Sequence, residues 1–103
     1  MVALNLMALT YNLKDIQATS QEVADLRMTR TARQTRVNLA LSLEDVVFII
    51  QSLTSRNFYK SMTTYADHRV WQDVYHFKFN QINLYIKFMM DEKGYLIISF
   101  KER

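Results

Sequence analysis

The sequence predicts an α+β domain, with helices in the first half and an antiparallel sheet in the second. Apolar residues recur at helical spacing up to about residue 53, whereas apolar and polar residues alternate with a period of two from Tyr59 onward. The chain has 103 residues, is half hydrophobic, and contains one glycine and no proline. This is the size of one domain, without a flexible linker. We therefore expect a single compact domain over residues 1–103, a twisted antiparallel sheet flanked by about three helices.

The helices are predicted from apolar stripes and from one capping signature. Ser42 followed by Asp45 is typical of a helix start, because the serine side chain can accept a hydrogen bond from the backbone of the first turn. Residues 27–29 are interpreted as either a helix end or a very short edge strand. The predicted helices cover residues 13–25, 31–41 and 43–53.

The sheet is predicted to contain four strands, mostly joined as hairpins, over residues 59–65, 70–77, 82–89 and 95–101. In the last hairpin, a loop over 90–94 pairs Leu84 with Phe100 and so keeps the apolar residues on one face. Tyr85 then becomes a diagonal neighbour of Lys101 on the polar face. In the preceding hairpin, an odd-length loop places Lys60 together with Gln72.

Charge favours a polyanionic partner. The net charge is +3, from 13 Lys and Arg against 10 Asp and Glu. Arginine recurs at positions 27, 30, 33 and 36 without an intervening acid, a flank that could hold phosphates or could simply be solvated. The apolar opening over residues 2–9 lacks a basic leader and is too short for a membrane span, so we expect a structural end segment, or an alternative start at Met7. The absence of cysteine suits a reducing compartment, and we expect a cytoplasmic protein.

Several common chemistries do not fit the sequence. The only two histidines, His68 and His76, occur without cysteine and without clustered carboxylates, so we expect no metal site and no cofactor. One glycine does not suffice for a phosphate-binding loop, and no Ser-His-Asp arrangement can be assembled. His68 lies in a predicted turn and is expected to be solvated, whereas His76 could contact a ligand.

What remains is a convergent set of side chains on the polar face of the sheet, Lys60, Gln72, Tyr85 and Lys101. Such groups can transfer a proton or hold an anion without a metal. RNA cleavage needs little more, because RNA carries its own nucleophile in the 2′-hydroxyl. Exposed lysine and tyrosine residues on a sheet are nevertheless often surface residues without a catalytic role.

A family resemblance selects between these interpretations. The chain closely resembles the MqsR family of bacterial toxins over residues 57–103 and only loosely before that, while residues 1–12 diverge. The resemblance implies a messenger-RNA interferase of a type II toxin-antitoxin system, with a compact fold similar to the RelE-like ribonucleases. The segments that carry it are Phe58-Tyr59-Lys60-Ser61-Met62-Thr63-Thr64-Tyr65, Asp67-His68, Trp71-Gln72-Asp73-Val74-Tyr75 and Ser99-Phe100-Lys101-Glu102.

The resemblance also implies functional residues. The family's functional lysine, glutamine, tyrosine and second lysine fall on the four positions of the convergent set, so we expect Lys60, Gln72, Tyr85 and Lys101 to be catalytic. Lys101 and Lys60 would hold the scissile phosphate, Tyr85 would take part in proton transfer, and Gln72 would position substrate. His76 stands where the family commonly has arginine, which affects substrate affinity or site preference. The residues expected to contact substrate are Met62, His76, Arg27 and Arg30.

The implied partners are single-stranded mRNA, cleaved at GCU-like sites, and an MqsA-like antitoxin. That antitoxin has a zinc-binding region and a helix-turn-helix region, so DNA would be reached only through it, and no membrane is involved. Two alternatives are a noncatalytic RNA-binding or regulatory module, and a decayed toxin that retains antitoxin binding.

Overall fold

The computed structural model describes residues 5–6 and 8–103. Within them the chain forms three α-helices and one five-stranded sheet, which confirms the predicted α+β class. The helices are α1 (Leu13–Ala18), α2 (Arg30–Asn38) and α3 (Leu43–Ser52). The strands are β1 (Asn5–Leu6), β2 (Phe58–Thr63), β3 (Trp71–Phe79), β4 (Ile82–Met90) and β5 (Leu96–Glu102). Short 3-10 turns cover Val23–Asp25 and Ser55–Asn57.

The third helix is confirmed, and its start has the predicted cap. Ser42 Oγ accepts from the backbone N–H of Asp45, and the Asp45 carboxylate accepts from the Ser42 N–H. Each bond satisfies a backbone donor that the first helical turn leaves unpaired. Phe48 is apolar but does not join the core: its side chain is 58% exposed, and its ring centroid lies 6.0 Å from that of Phe79.

The first helix is shorter than predicted. It ends at Ala18, and the residues up to Asp25 form a loop and a separate 3-10 turn. Thr19 Oγ1 donates to the Ile16 carbonyl, and Ser20 is buried. Gln51 of α3 donates to the Ser20 carbonyl, so tertiary contacts replace the helical bonds that the sequence pattern would have continued.

The five strands form an antiparallel meander in the order β1-β2-β3-β4-β5. The four predicted strands are confirmed to within two residues at each end, and β1 was not predicted. The turn between β3 and β4 consists of Asn80 and Gln81, both with positive φ. This backbone conformation matches the twist of a two-residue hairpin.

The register of the last hairpin differs from the prediction by two residues. Leu84 pairs with Glu102 rather than Phe100, and the five-residue loop covers 91–95 rather than 90–94. The apolar face is the same in both registers, because a shift of two leaves every side chain on its side of the sheet. Tyr85 and Lys101 are therefore directly opposite each other, not diagonal.

The helices cover one face of the sheet and leave the other open. Alternate residues of β3, β4 and β5 join helical side chains in one apolar core, which includes Ile50 of α3 together with Tyr75, Phe88 and Ile98. The remaining residues of these strands point to the opposite face. Because side chains alternate between the two faces of a strand, the residues that do not face the core are the ones available to contact a ligand.

Residues 27–29 lie along the free edge of β5 and form a single β-bridge there, which favours the predicted edge strand over the predicted helix end. Met28 forms a parallel bridge with Ile98, and the Thr29 N–H donates to the Ile98 carbonyl at 2.9 Å. Thr29 then caps α2, since its Oγ1 accepts from the Ala32 N–H. The open face therefore extends past β5 as far as the start of α2.

None of the helices in the described part of the chain is long and apolar enough to cross a membrane.

Candidate functional site

The open face of the sheet is a grid of side chains from four strands. Three of its rows run across the strands. The backbone pairing sets them, except that a ring stack joins Tyr59 to His76 and a shared groove joins Gln72 to Met89. We call them the aromatic row (Tyr59, His76, Tyr85, Lys101), the central row (Lys60, Val74, Lys87, Ser99) and the outer row (Met62, Gln72, Met89, Ile97).

The aromatic row is a continuous line of rings that ends in Lys101, and Lys60 of the central row lies beside the ring at its other end. The Tyr59 and His76 rings are stacked, with centroids 4.2 Å apart, and the His76 and Tyr85 centroids are 5.6 Å apart. Lys101 Nζ lies 5.2 Å from the Tyr85 ring centroid, and Lys60 Nζ lies 5.3 Å from that of Tyr59. Both distances are within the range of cation–π contacts. The row can therefore present positive charge and ring surface to a nucleic acid together.

A β-bulge places Tyr59 on the open face. The pairing of β2 with β3 shifts between Phe58, opposite Tyr75, and Lys60, opposite Val74, so Tyr59 is the extra residue. Phe58 packs against the core while Lys60 lies on the open face. Without the bulge, strict alternation would put Phe58 and Lys60 on the same face, so the extra residue is what allows both placements.

Burial and neighbouring charges shift the acid–base properties of three groups on this face. Burial is the main cause that raises the pKa of Tyr85 above its ordinary value, and the electrostatic effect of Tyr59 adds to it. The phenol therefore keeps its proton at neutral pH. Burial, and then Lys101, lower the pKa of Lys87. Burial, followed by Arg103 and Lys60, lowers the pKa of His76, which is therefore neutral at pH 7.

An open groove of about 210 Å³ lies between the sheet and the start of α2. Thr29 Oγ1 donates to Ser99 Oγ at 3.1 Å across its edge, which ties the helix start to β5. The groove adjoins the central and outer rows. Its lining residues are Thr29, Thr31, Gln72, Lys87, Met89 and Ser99.

Six of the eight site residues expected from the sequence lie on the open face. The four expected catalytic residues, Lys60, Gln72, Tyr85 and Lys101, are all there, but not equally close. Tyr85 and Lys101 are direct partners. The predicted pairing of Lys60 with Gln72 is wrong, because Gln72 is opposite Met62 and Lys60 is opposite Val74. Lys60 and Lys101 lie three strands apart and are offset by two residues along the strand direction, so their Cα atoms are roughly 15 Å apart. His76 lies between these lysines, in contact with Tyr85.

The expected arginine flank is divided. The Arg27 guanidinium lies 3.9 Å from the Tyr95 ring centroid, at the far end of β5 and roughly 20 Å along that strand from Lys101. Arg36 is turned inward, with Nη1 donating to the Leu41 carbonyl. Arg30 and Arg33 are exposed on α2. The structure therefore does not bring Arg27 to the site, and it leaves Arg30 beside the groove but outside its lining.

Sequence reasoning missed Tyr59 and Lys87 as site residues. Lys87 could have been found, because it is two residues from Tyr85 on the same strand and so must share its face. Tyr59 could not, because period-two alternation points it to the core and only the bulge reverses this. The groove-lining Thr29 was also missed, since its position depends on contacts distant in sequence.

The described part of the chain contains no group of three or more His, Asp or Glu side chains placed to hold a metal ion.

The lowered pKa of His76 predicts a pH-dependent stability. As the pH falls, the His76 ring of the unfolded chain takes up a proton near the ordinary pKa of 6.5, before the ring of the folded chain does. Protonation therefore favours the unfolded chain. The stability that His76 contributes is present above pH 6.5 and is lost as the pH falls toward the pKa of the folded state. We expect the melting temperature of the native protein to fall more steeply between pH 7.5 and 5 than that of His76→Gln. Equal slopes would contradict the assignment, because the two proteins differ only at position 76.

Comparison with known proteins gives the family. The family model described as "Motility quorum-sensing regulator, toxin of MqsA" matches residues 9–102. The mRNA interferase toxin MqsR of Escherichia coli (strain K12) is 40% identical over 78 residues, which cover 76% of this chain and 79% of that protein. The match covers the strands of the open face and the helices behind them. The chain therefore belongs to the MqsR family of toxins, as the resemblance over residues 57–103 predicts.

Proposed function

We propose that this chain, as one domain over residues 1–103, is the toxin of a type II toxin-antitoxin pair and an endoribonuclease of the mRNA interferase class. It cleaves single-stranded mRNA at GCU-like sites without a metal ion and thereby inhibits translation and growth. The observation that carries the proposal is the direct pairing of Tyr85 with Lys101, at the end of a ring-lined face that also holds Lys60 and Gln72.

The reaction needs only what this face supplies. The 2′-oxygen of one nucleotide attacks the adjacent phosphorus and gives its proton to solvent water, a new O2′–P bond forms, and the P–O5′ bond breaks. The leaving 5′-oxygen takes up a proton, so the products carry a 2′,3′-cyclic phosphate and a 5′-hydroxyl. The protein must align the 2′-hydroxyl, stabilise the extra negative charge on the phosphate and donate a proton to the leaving 5′-oxygen.

We assign these tasks to different residues of the face. Lys101 binds and neutralises the scissile phosphate above Tyr85, since its ammonium already lies over that ring. Tyr85 is the proton donor, because burial and Tyr59 raise its pKa and keep it protonated. Lys60 lies roughly 15 Å from Lys101, so we assign it to the substrate strand on the other side of His76 rather than to the same phosphate oxygen. Gln72 positions the nucleotide that enters the groove.

His76 replaces the fixed positive charge that the family commonly has at this position. A neutral imidazole stacked on Tyr59 can contact a base but does not hold a phosphate as an arginine does. Met62 lies opposite Gln72 in the same face and completes the substrate surface.

The partner is an MqsA-like antitoxin with a zinc-binding region and a helix-turn-helix region. The family description names MqsA as the partner of these toxins. Contact with DNA is indirect, through that antitoxin, and the pair acts in the cytoplasm, where mRNA is translated.

The test is cleavage of defined single-stranded RNA with and without GCU, in the presence of a chelator, followed by analysis of product ends. The proposal predicts cleavage at GCU-like sites with 2′,3′-cyclic phosphate ends. Bound but intact RNA would overturn it in favour of a noncatalytic or decayed protein, and cleavage that stops in chelator would contradict the metal-independent reaction.

A further inference from the structure

Lys87 lies at the centre of the open face. It is directly opposite Val74 on β3 and Ser99 on β5, and it shares its strand and face with Tyr85. Lys101 is its diagonal neighbour and is close enough to lower its pKa. Any substrate that lies over Tyr85 and Lys101 and continues toward Gln72 must therefore pass Lys87.

The Lys87 ammonium has no acidic partner in the described part of the chain. The ion pair found among these residues joins Arg69 to Asp67, in the loop between β2 and β3. Lys87 is partly buried, and its neighbour Val74 is fully buried beneath the lysines on either side. A partly buried cation without a counterion costs free energy, which an anionic ligand would offset.

The groove that Lys87 lines has the composition of a phosphate site. Its other polar groups are the hydroxyls of Thr29, Thr31 and Ser99 and the amide of Gln72, with no carboxylate among the lining residues. Lysine, threonine, serine and glutamine side chains are all among those that contact nucleic-acid phosphates. Met89 is the remaining lining residue.

We propose that Lys87 binds a backbone phosphate of the RNA in this groove, next to the phosphate that is cleaved over Tyr85 and Lys101. The proposal rests on the proposed function and adds to it the path of the strand, from the aromatic row across Lys87 toward the start of α2. A phosphate contact fixes the register of the RNA and carries no sequence information. Lys87 thus strengthens substrate binding without selecting the cleaved sequence.

The test uses Lys87→Met, which keeps the length of the side chain and removes its charge. The control is Lys14→Met, an exposed lysine on α1, behind the sheet. Both variants are checked for native circular dichroism and melting temperature. Their affinity is measured for RNA made uncleavable by a 2′-deoxy nucleotide at the cleaved position, over a range of salt concentrations.

We expect Lys87→Met to weaken RNA binding about tenfold at low salt and to reduce the slope of log affinity against log salt by about 0.7, the contribution of one phosphate contact on a single strand. The ranking of cleaved sequences should not change. Lys14→Met should bind like the native protein.

Replacing single phosphates of the RNA by neutral methylphosphonates locates the contact. One non-scissile position should weaken binding to the native protein and have no further effect on Lys87→Met, because the two changes remove the same interaction. Equal penalties in both proteins at every position would overturn the proposal, as would a changed sequence preference, which would indicate base recognition instead. If the native protein cleaves RNA but Lys87→Met matches it throughout, only this inference fails; if the native protein neither binds nor cleaves RNA, the proposed function fails as well.

Discussion

Lys101→Ala is expected to reduce RNA cleavage by at least 100-fold while leaving the fold intact. Lys101 lies above the Tyr85 ring and is assigned to the scissile phosphate, whose negative charge grows in the transition state. Removing one group that stabilises such charge typically lowers the rate by about 10²–10³. The side chain is exposed near the end of an outer strand, so its loss removes no core contact.

The measurement is the single-turnover cleavage rate at saturating protein, which separates chemistry from binding. Lys14→Ala is the matched control, since it removes the same charge from the helical side of the molecule. A folded Lys101→Ala protein that cleaves within tenfold of the native rate would contradict the assignment of this site.

Asp73→Ala is expected to cause the largest loss of stability. The Asp73 side chain is fully buried, and its carboxylate accepts from the backbone N–H groups of Thr10 and Tyr11 at 2.7 to 3.0 Å. These bonds anchor the segment before α1 to β3. Removing the carboxylate leaves two donors without a partner, which costs about 2–4 kcal/mol. In a domain of this size that lowers the melting temperature by roughly 10–20 °C.

Thermal unfolding followed by circular dichroism tests this, with Asp67→Ala as the control. Asp67 is also an aspartate of the sheet region, but it pairs with exposed Arg69 at the surface, so its loss should change the melting temperature little. A melting temperature of Asp73→Ala equal to that of the control would show that the buried bonds do not hold the N-terminal segment.

The contrast between Asp73 and Gln72 explains one motif of the family. These residues are adjacent in β3, so they point to opposite faces. Gln72 faces the substrate groove, whereas Asp73 faces the interior and holds the chain before α1. One motif therefore combines a residue assigned to function with one that is structural, and sequence spacing alone assigns each to its face.

Local patterns predicted most of the fold, and contacts distant in sequence account for the misses. The start of α3 was predicted because its cap lies within four residues, Ser42 to Asp45. The end of α1 was missed because Gln51, more than thirty residues away, bonds to the loop that replaces its last turns. The last hairpin was predicted with the correct face and loop length but with its loop one residue early, because the apolar pattern is unchanged by a shift of two.

The same limit applies to the site. Alternation placed Tyr85 and Lys101 on one face, and it could also have placed Lys87 there. The bulge at Tyr59 and the groove wall at Thr29 depend on how separate segments pack, which periodicity does not encode. Arg27 was assigned to the substrate by its charge and its loose match to the family, yet it stacks on Tyr95 at the far end of β5.

The proposed function requires that RNA binds across the open face of the sheet. This can be measured from the amide chemical-shift changes on adding single-stranded GCU-containing RNA with a 2′-deoxy nucleotide at the cleaved position. We expect changes concentrated along the aromatic and central rows and at the start of α2, with few on α1 and α3. Changes concentrated on α1 and α3, with the open face unaffected, would contradict it.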